Sequence, residues 1–189
     1  MHADKNPNGS GARIIFGTEP GSKLAAIRDK VDRGEITTVI ALRENLLKKA
    51  GFNETQLGKL QNFILAHVLA NSSAAFAGVV FPMATYAEVR GSMINATGRL
   101  QRLNKAVEPV GEVRAGWEMI RDLTLALSGQ NGLYSIEDVF KSMSTMLKEF
   151  AGLNLGRIGD LGIPLLKTTE TIPVLEREKE RKAQGIIVG

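Results

Sequence analysis

Short apolar runs separated by turn-forming residues set the pattern along the first half of the chain, and each run is too brief for a long amphipathic helix. Residues 1–12 are polar and glycine-rich with no apolar period, which predicts a flexible leader or an arm lying on a partner. Residues 14–16 (Ile-Ile-Phe) read as a short strand. A loop over residues 17–21 leads to a helix capped by Ser22, with Leu24, Ile27 and Val31 on one face and Gly34 closing it. Residues 37–42 (Thr-Thr-Val-Ile-Ala-Leu) are β-branched or apolar almost throughout, the composition of a parallel strand covered on both faces. Helix-forming residues 44–50 follow, stopped by Gly51, and residues 56–60 form another short helix. Residues 62–68 read as a second buried strand, with a helix running on through Leu69 as the alternative that periodicity leaves open. A stretch of small residues at 71–76 leads into Val79, Val80 and Phe81, a strand that Pro82 ends because proline has no N–H for the ladder. Strands alternating with short helices predict an α/β fold, a doubly wound and mostly parallel sheet with right-handed crossovers.

The second half changes character. Residues 83–113 lack a clean period and carry Gly91, Asn95, Gly98, Pro109 and Gly111, predicting a long ordered excursion with a short helix or hairpin. Two C-terminal helices come next. Trp117, Ile120, Leu123 (or Thr124) and Leu127 mark the first, which Gly129 ends; Ile136, Val139, Phe140, Met143, Met146, Leu147 and Phe150 mark the second. Ser135 with Asp138 forms a capping-box-like start for that second helix. Its Met and Phe stripe suits a core or a partner rather than a cofactor. Past Ile163 and Pro164 the pattern fades into the mixed-charge residues 176–182, a solvated helix or tail. The organisation predicted is a leader (1–12), an α/β module (13–129), a helical extension (130–167) and a charged tail (168–189).

A length of 189 residues suits one domain with an appendage, and 43% apolar with 23% charged residues exclude a disordered or fibrous class. The net charge of +4 is interleaved with acids, and 7 Phe and 1 Trp offer few surfaces for bases, so nucleic acid is not an expected partner. No apolar run is long enough for a membrane span and the leader lacks the order of a secretory signal, so a cytoplasmic location is expected. With no cysteine, the chain holds no thiolate-ligated iron–sulfur cluster and no disulfide. Of the two histidines, His2 lies in the leader and His67 inside an apolar run, where it reads as a satisfied core histidine; no metal site is expected. No phosphate loop, dinucleotide glycine fingerprint or nucleophile elbow is present, and Glu170 and Glu176 lie in the tail rather than converging on a histidine.

The informative block begins at Ala77-Gly-Val-Val-Phe-Pro, passes Glu88 and Gly91, continues as Asn95-Ala-Thr-Gly98-Arg99-Leu-Gln101, and ends in Pro109-Val-Gly111 and Trp117. It resembles the molybdopterin-oxidoreductase superfamily, in which a strand reading Ala-Asp-Val-Val-Leu-Pro runs through a Glu and a Gly-Thr into Asn-x-Glu-Gly-Arg-x-Gln, a Pro-x-Gly and a Trp. Upstream, Val39-Ile-Ala-Leu-Arg-Glu-Asn45-Leu46 is similar to that family's strand ending in Gly-x-Asn-Pro, and Asn71-Ser-Ser-Ala to its Thr-Glu-Thr-Ala. The likeness covers roughly residues 13–125. Its Asn-x-x-Gly-Arg-x-Gln form looks closer to the C-terminal part of the large iron–sulfur subunit of NADH:quinone oxidoreductase, respiratory complex I, than to formate dehydrogenases.

The resemblance implies a Rossmann-like doubly wound sheet and a place as a structural or assembly subunit in the peripheral arm of such a respiratory complex. Departures accompany it: Gly78 stands for Asp, Thr97 for Glu, Leu46 for Pro and Ser72 for Glu, and three of these remove an acidic acceptor for a pterin or guanine edge. The expectation is therefore no activity and no cofactor in this chain, with iron–sulfur clusters and flavin in partner subunits and membrane contact only through the complex. Glu88, Gly91, Asn95, Gly98, Arg99, Gln101 and Trp117 are expected to keep the fold, with a Glu88–Arg99 ion pair pinning the loop. One alternative is half of a split formate-dehydrogenase-like enzyme in which Asn45, Asn95 and Arg99 touch a molybdopterin guanine dinucleotide. A small nucleotide-binding or scaffold protein is the other.

Overall fold

The computed structural model describes residues 8–18, 21–130, 132–166 and Ala183. Within them the fold is α/β, and the residues separate into two compact units. One unit holds residues 18–91 and 103–139; the other gathers residues 8–17, 92–102 and 140–166.

The first unit is built on three parallel strands, β1 (Thr38–Leu42), β2 (Asn62–His67) and β3 (Val79–Pro82), lying side by side in chain order. Thr38 pairs with Asn62 and Leu42 with Ala66, and Ile64 pairs with Val79 and Ala66 with Phe81. Parallel strands need crossovers, and here these carry α3 (Glu54–Gly58) and a 3-10 turn (Ser72–Phe76). The start of α3 is fixed by a capping box: Asn53 Oδ1 accepts from Gln56 N at 2.8 Å and Gln56 Oε1 accepts from Asn53 N at 3.1 Å. Preceding the sheet, α2 (Leu24–Asp32) is tied to α3 by Gln56 Nε2 donating to Asp32 Oδ2 at 2.7 Å.

Alternation along the strands sorts the side chains onto two faces. Ala41, Phe63 and Leu65 point into a core closed by Val31, Leu46, Ala50, Phe52 and Leu57. The opposite face carries Ile40, Leu42, Ile64, Ala66 and Phe81, over which lie Met119, Ile120 and Leu123 of α4 (Gly116–Ser128). That cover is partial. Ile40 remains 40% exposed and Phe81 45%, so the continuous apolar run in β1 corresponds to one sealed face and one half-open face, not to two sealed ones. All four residues of β3 are exposed.

The second unit contains α1 (Gly9–Phe16) and most of a small sheet ordered β4 (Gly91–Ile94), β5 (Arg99–Leu103), β6 (Ile163–Pro164). β4 and β5 supply the hairpin expected in the long excursion. The α1 helix corrects two expectations, since residues 8–12 are not an arm and residues 14–16 are not a strand. Asn8 sits at φ 61° and its Oδ1 accepts from Ile94 N at 2.8 Å, while its carboxamide lies against Gly11, where a Cβ would fall 2.2 Å from that oxygen. Only glycine leaves room for this close approach. α5 (Ile136–Met146) begins with the predicted box: Ser135 Oγ accepts from Asp138 N at 3.1 Å and Asp138 Oδ2 accepts from Ser135 N at 2.9 Å. Of its apolar stripe, Phe140 is buried edge-on against Phe150, at 6.0 Å between ring centres, whereas Met146 is 79% exposed. The mixed-charge residues 176–182, with Glu170 and Glu176, lie outside the described residues, as does His2.

Leu65, fully buried in the central strand, tests where the core sits. Leu65→Ala is expected to lower unfolding stability by about 2–5 kcal/mol in urea titrations, and Ile40→Ala on the half-open face by less than half as much.

Candidate functional site

In open α/β sheets the chain leaves every strand at the same edge, and ligands sit outside those carboxyl ends. Here that edge is formed by Arg43–Glu44–Asn45 after β1, residues 68–73 after β2 and residues 83–88 after β3.

Asn45 is the hub of the edge. Its Oδ1 accepts from Lys48 N at 3.1 Å, Ser73 Oγ at 3.0 Å and Ser72 Oγ at 3.3 Å, and its Nδ2 lies 3.2 Å from Ser72 Oγ. Ser73, 0% exposed, uses the same hydroxyl to accept from Leu47 N at 3.2 Å. This capture of backbone N–H groups holds residues 44–50 as a turn where helix was expected, because an Asn side chain that bonds the nearby backbone competes with the helical ladder. Asn71 starts the 3-10 turn by accepting from Ser73 N at 2.9 Å through Oδ1, while its Nδ2 is buried without a hydrogen-bond partner. His67 lies half-buried at the end of β2, not in the core, and its Nδ1 accepts from Leu69 N at 3.1 Å.

Arg43 was not singled out from the sequence. Its backbone lies at φ 60°, a left-handed conformation that costs a non-glycine residue about 1–2 kcal/mol. Its N–H extends the ladder to Ala66 O at 2.7 Å, and its Nη2 donates to Ala84 O. Since β2 lies between β1 and β3, a side chain joining the residue after β1 to the loop after β3 spans the carboxyl end of β2. The signal was available: aligning Arg43–Glu44–Asn45–Leu46 with Gly-x-Asn-Pro puts Arg43 at the glycine.

The other predicted residues are engaged locally. Asn95 Oδ1 accepts from Thr97 N at 3.0 Å, Thr97 Oγ1 at 2.8 Å and Arg99 N at 3.0 Å, shaping the β4–β5 turn, and its Nδ2 donates to Gln101 Oε1 at 3.0 Å. Gly98 in that turn has φ 71°, and a Cβ there would meet Leu166 O at 2.6 Å. The expected Glu88–Arg99 pair falls across the two units, and each side chain has partners within its own unit. Glu88 Oε2 accepts from Thr85 N at 2.7 Å, while the Arg99 guanidinium donates to Leu161 O at 2.9 Å and Gly162 O at 3.0 Å; backbone partners nearer at hand satisfy both. Gly91 opens β4, and Trp117 stands in the first turn of α4 with the Arg121 guanidinium 5.4 Å from its ring centre. Asn45 belongs to one unit and Asn95 with Arg99 to the other.

A cavity of about 210 Å³ lies between the half-open sheet face and α4. Ile40, Leu42, Ile64 and Phe81 line it, and Arg114, Asp122 and Glu112 are its charged members. Arg114 Nη2 donates to Asp122 Oδ2 at 2.7 Å and Arg121 Nε to Asp122 Oδ1 at 2.8 Å. The bond from Arg121, then that from Arg114, holds the Asp122 carboxyl below the usual aspartate range. Among the described residues no group of three or more His, Cys, Asp or Glu is placed to hold a metal ion, and no helix is long and apolar enough to cross a membrane.

Ser73→Ala strips Leu47 N–H and Asn45 Oδ1 of a buried partner and should cost about 1–3 kcal/mol of unfolding stability, against about 0.5 kcal/mol or less for exposed Ser72→Ala, both read in urea. Because its folded value is depressed, Asp122 contributes stability above about pH 4 that is lost as pH falls through the lowered value. Carbon-detected NMR titration should show its midpoint below that of a free aspartate, returning toward it in Arg121→Gln.

A model of the molybdopterin oxidoreductase family matches residues 5–125. The chain is similar to the F420-dependent formate dehydrogenase 2 subunit alpha of Methanococcus maripaludis, 30% identical over 138 residues, which are 70% of this chain and 20% of that protein. It is also similar to the NADPH-Fe(3+) oxidoreductase subunit alpha of Geobacter sulfurreducens, 32% identical over 144 residues (74% and 17%). A third relative is the assimilatory nitrate reductase catalytic subunit of Bacillus subtilis, 32% identical over 121 residues (60% and 16%). The chain thus spans a fifth or less of the length of these curated relatives. A formate dehydrogenase alpha subunit is among these relatives, and the narrower likeness to the large subunit of NADH:quinone oxidoreductase gains no support from them.

Proposed function

We infer the role of this chain from the premise that it belongs to the molybdopterin oxidoreductase family. It supplies half of the parallel sheet that frames the pterin cofactor in a formate-dehydrogenase-like enzyme. The observation that carries this reading is the amide–hydroxyl cluster at the carboxyl edge beside β1. A doubly wound sheet of order 3-2-1-4-5-6 binds its ligand where the order reverses, next to strand 1. The order β1-β2-β3 matches one half of such a sheet, with β1 at its end among the described residues and Asn45 at that strand's carboxyl end.

The donors present fit a pterin or guanine edge in kind. Asn45 Nδ2 commits one of its two hydrogens to Ser72, Ser72 is exposed, and Asn71 Nδ2 is a buried donor with no acceptor. Neutral amides and hydroxyls pair with the alternating donors and acceptors of a heterocycle without the desolvation cost of a charge. Asn45, Ser72 and Asn71 would hold the cofactor, while Asn95, committed within its own hairpin, and Arg99, committed to the carbonyls of Leu161 and Gly162, do not enter. A bound molybdenum or tungsten pterin supplies the two-electron couple of such an oxidoreductase, and the protein supplies binding and orientation. With 0 Cys in these 189 residues, iron–sulfur clusters belong to sequence outside them, and two of the relatives above are themselves named as alpha subunits. The chain therefore works in a hetero-oligomer, where flavin and clusters carry the electrons onward.

The test is to purify the tagged chain with its native assembly from its source cell and count metals by mass spectrometry and pterin by fluorescence after oxidation. Molybdenum or tungsten stoichiometric with pterin is expected. An assembly with iron and flavin but neither of those metals nor pterin would sink this reading and restore the structural role in a respiratory NADH dehydrogenase.

A further inference from the structure

A turn that only had to reverse direction after β1 would gain nothing from arginine at position 43. The backbone there is left-handed, which glycine adopts freely and arginine does not. What arginine adds is its side chain, laid across the carboxyl end of β2 and anchored on Ala84 O. That anchor is a neutral carbonyl taking one of five guanidinium donors, and among the described residues no carboxylate pairs with Arg43. Exposed arginine left on a carbonyl keeps its full charge available to a ligand.

Its neighbours sharpen the contrast. Asn45 and Ser72 are neutral, His67 Nδ1 is taken by Leu69 N–H, and Glu44 accepts from Asn45 N at 3.0 Å. Exposed Lys48 and Lys49 in the same turn add positive field on flexible stems, whereas Arg43 is the cation pinned at the edge. A planar fork fixed at one end suits the paired oxygens of a phosphate.

We propose that Arg43 is a specificity-determining residue that selects a phosphate-bearing ligand at the carboxyl edge of the sheet. The proposal rests on the reading of that edge as a cofactor wall and adds the part of the cofactor that this chain grips. It makes Arg43, rather than Arg99, the guanidinium that meets the ligand.

The experiment is calorimetric titration of inorganic pyrophosphate and of GDP into the full chain, with Arg43→Gly, Arg43→Lys and Arg43→Gln beside the wild type and circular dichroism confirming each fold. Arg43→Gly should weaken both ligands by about tenfold or more, the size of one charge-assisted contact. Arg43→Lys, which keeps the charge and loses the fork, should recover only part of that. Arg43→Gln, which keeps a donor for Ala84 O and loses the charge, should behave like Arg43→Gly and carries the comparison if the glycine variant misfolds. Equal affinities in wild type and the uncharged variants overturn the proposal, as does wild-type binding of neither probe, or dependence on Arg43 for GDP alone. Failure of the functional reading shows separately, in the metal and pterin content of the native assembly.

Discussion

Parallel pairing is the constraint from which the site follows. Strands that run the same way cannot be joined by tight turns, so each must be followed by a crossover, and each crossover leaves from the same edge of the sheet. Ladder pairing from Thr38 with Asn62 through Ala66 with Phe81 therefore brings together segments that lie far apart in sequence: Asn45, Asn71 to Ser73, and Ala84. Burial of Phe63 and Leu65 in the central strand holds the register, since a slip of one residue would turn both toward the opposite face. The polar cluster at the edge is thus a product of the apolar core.

The three parallel strands were legible in sequence to within a residue or two because buried parallel strands are apolar nearly throughout and are punctuated by Gly, Asn and Pro. Helix α1 was not legible. Ile14 and Ile15 favour a strand by propensity, and the contacts that override it, Asn8 packed over Gly11 and bonded to Ile94, bring in a residue far along the chain. Residues 44–50 misled in the opposite direction, because helix propensity carries no information about Asn45 capturing Lys48 N and the Ser73 hydroxyl. Glu88 and Arg99 were paired on charge alone, yet each found backbone partners. Arg43 was overlooked because basic residues at strand ends are ordinary; only its backbone angle distinguishes it.

At the carboxyl edge, neutral groups stand at positions where the family carries acids. Ser72 stands where the family has Glu, and its hydroxyl joins Asn45 in a neutral network instead of presenting a charge. With Glu44 and Glu88 both turned onto backbone N–H groups, the described part of the edge offers amides, hydroxyls and cations. Such a surface is matched to an electron-rich ring or an anion and is poorly matched to a cation.

The division of the chain into two units has a temporal side. Residues 18–91 and 103–139 are all made before residue 140, whereas the other unit draws on residues 8–17, 92–102 and 140–166 and lacks Phe150 and the β6 strand until those later residues follow. Synthesis from the N-terminus therefore lets the parallel sheet form before Asn8 can meet its partner Ile94. A nascent chain halted between residues 83 and 93 would hold a paired parallel sheet while the Asn8 carboxamide still lacked the Ile94 N–H.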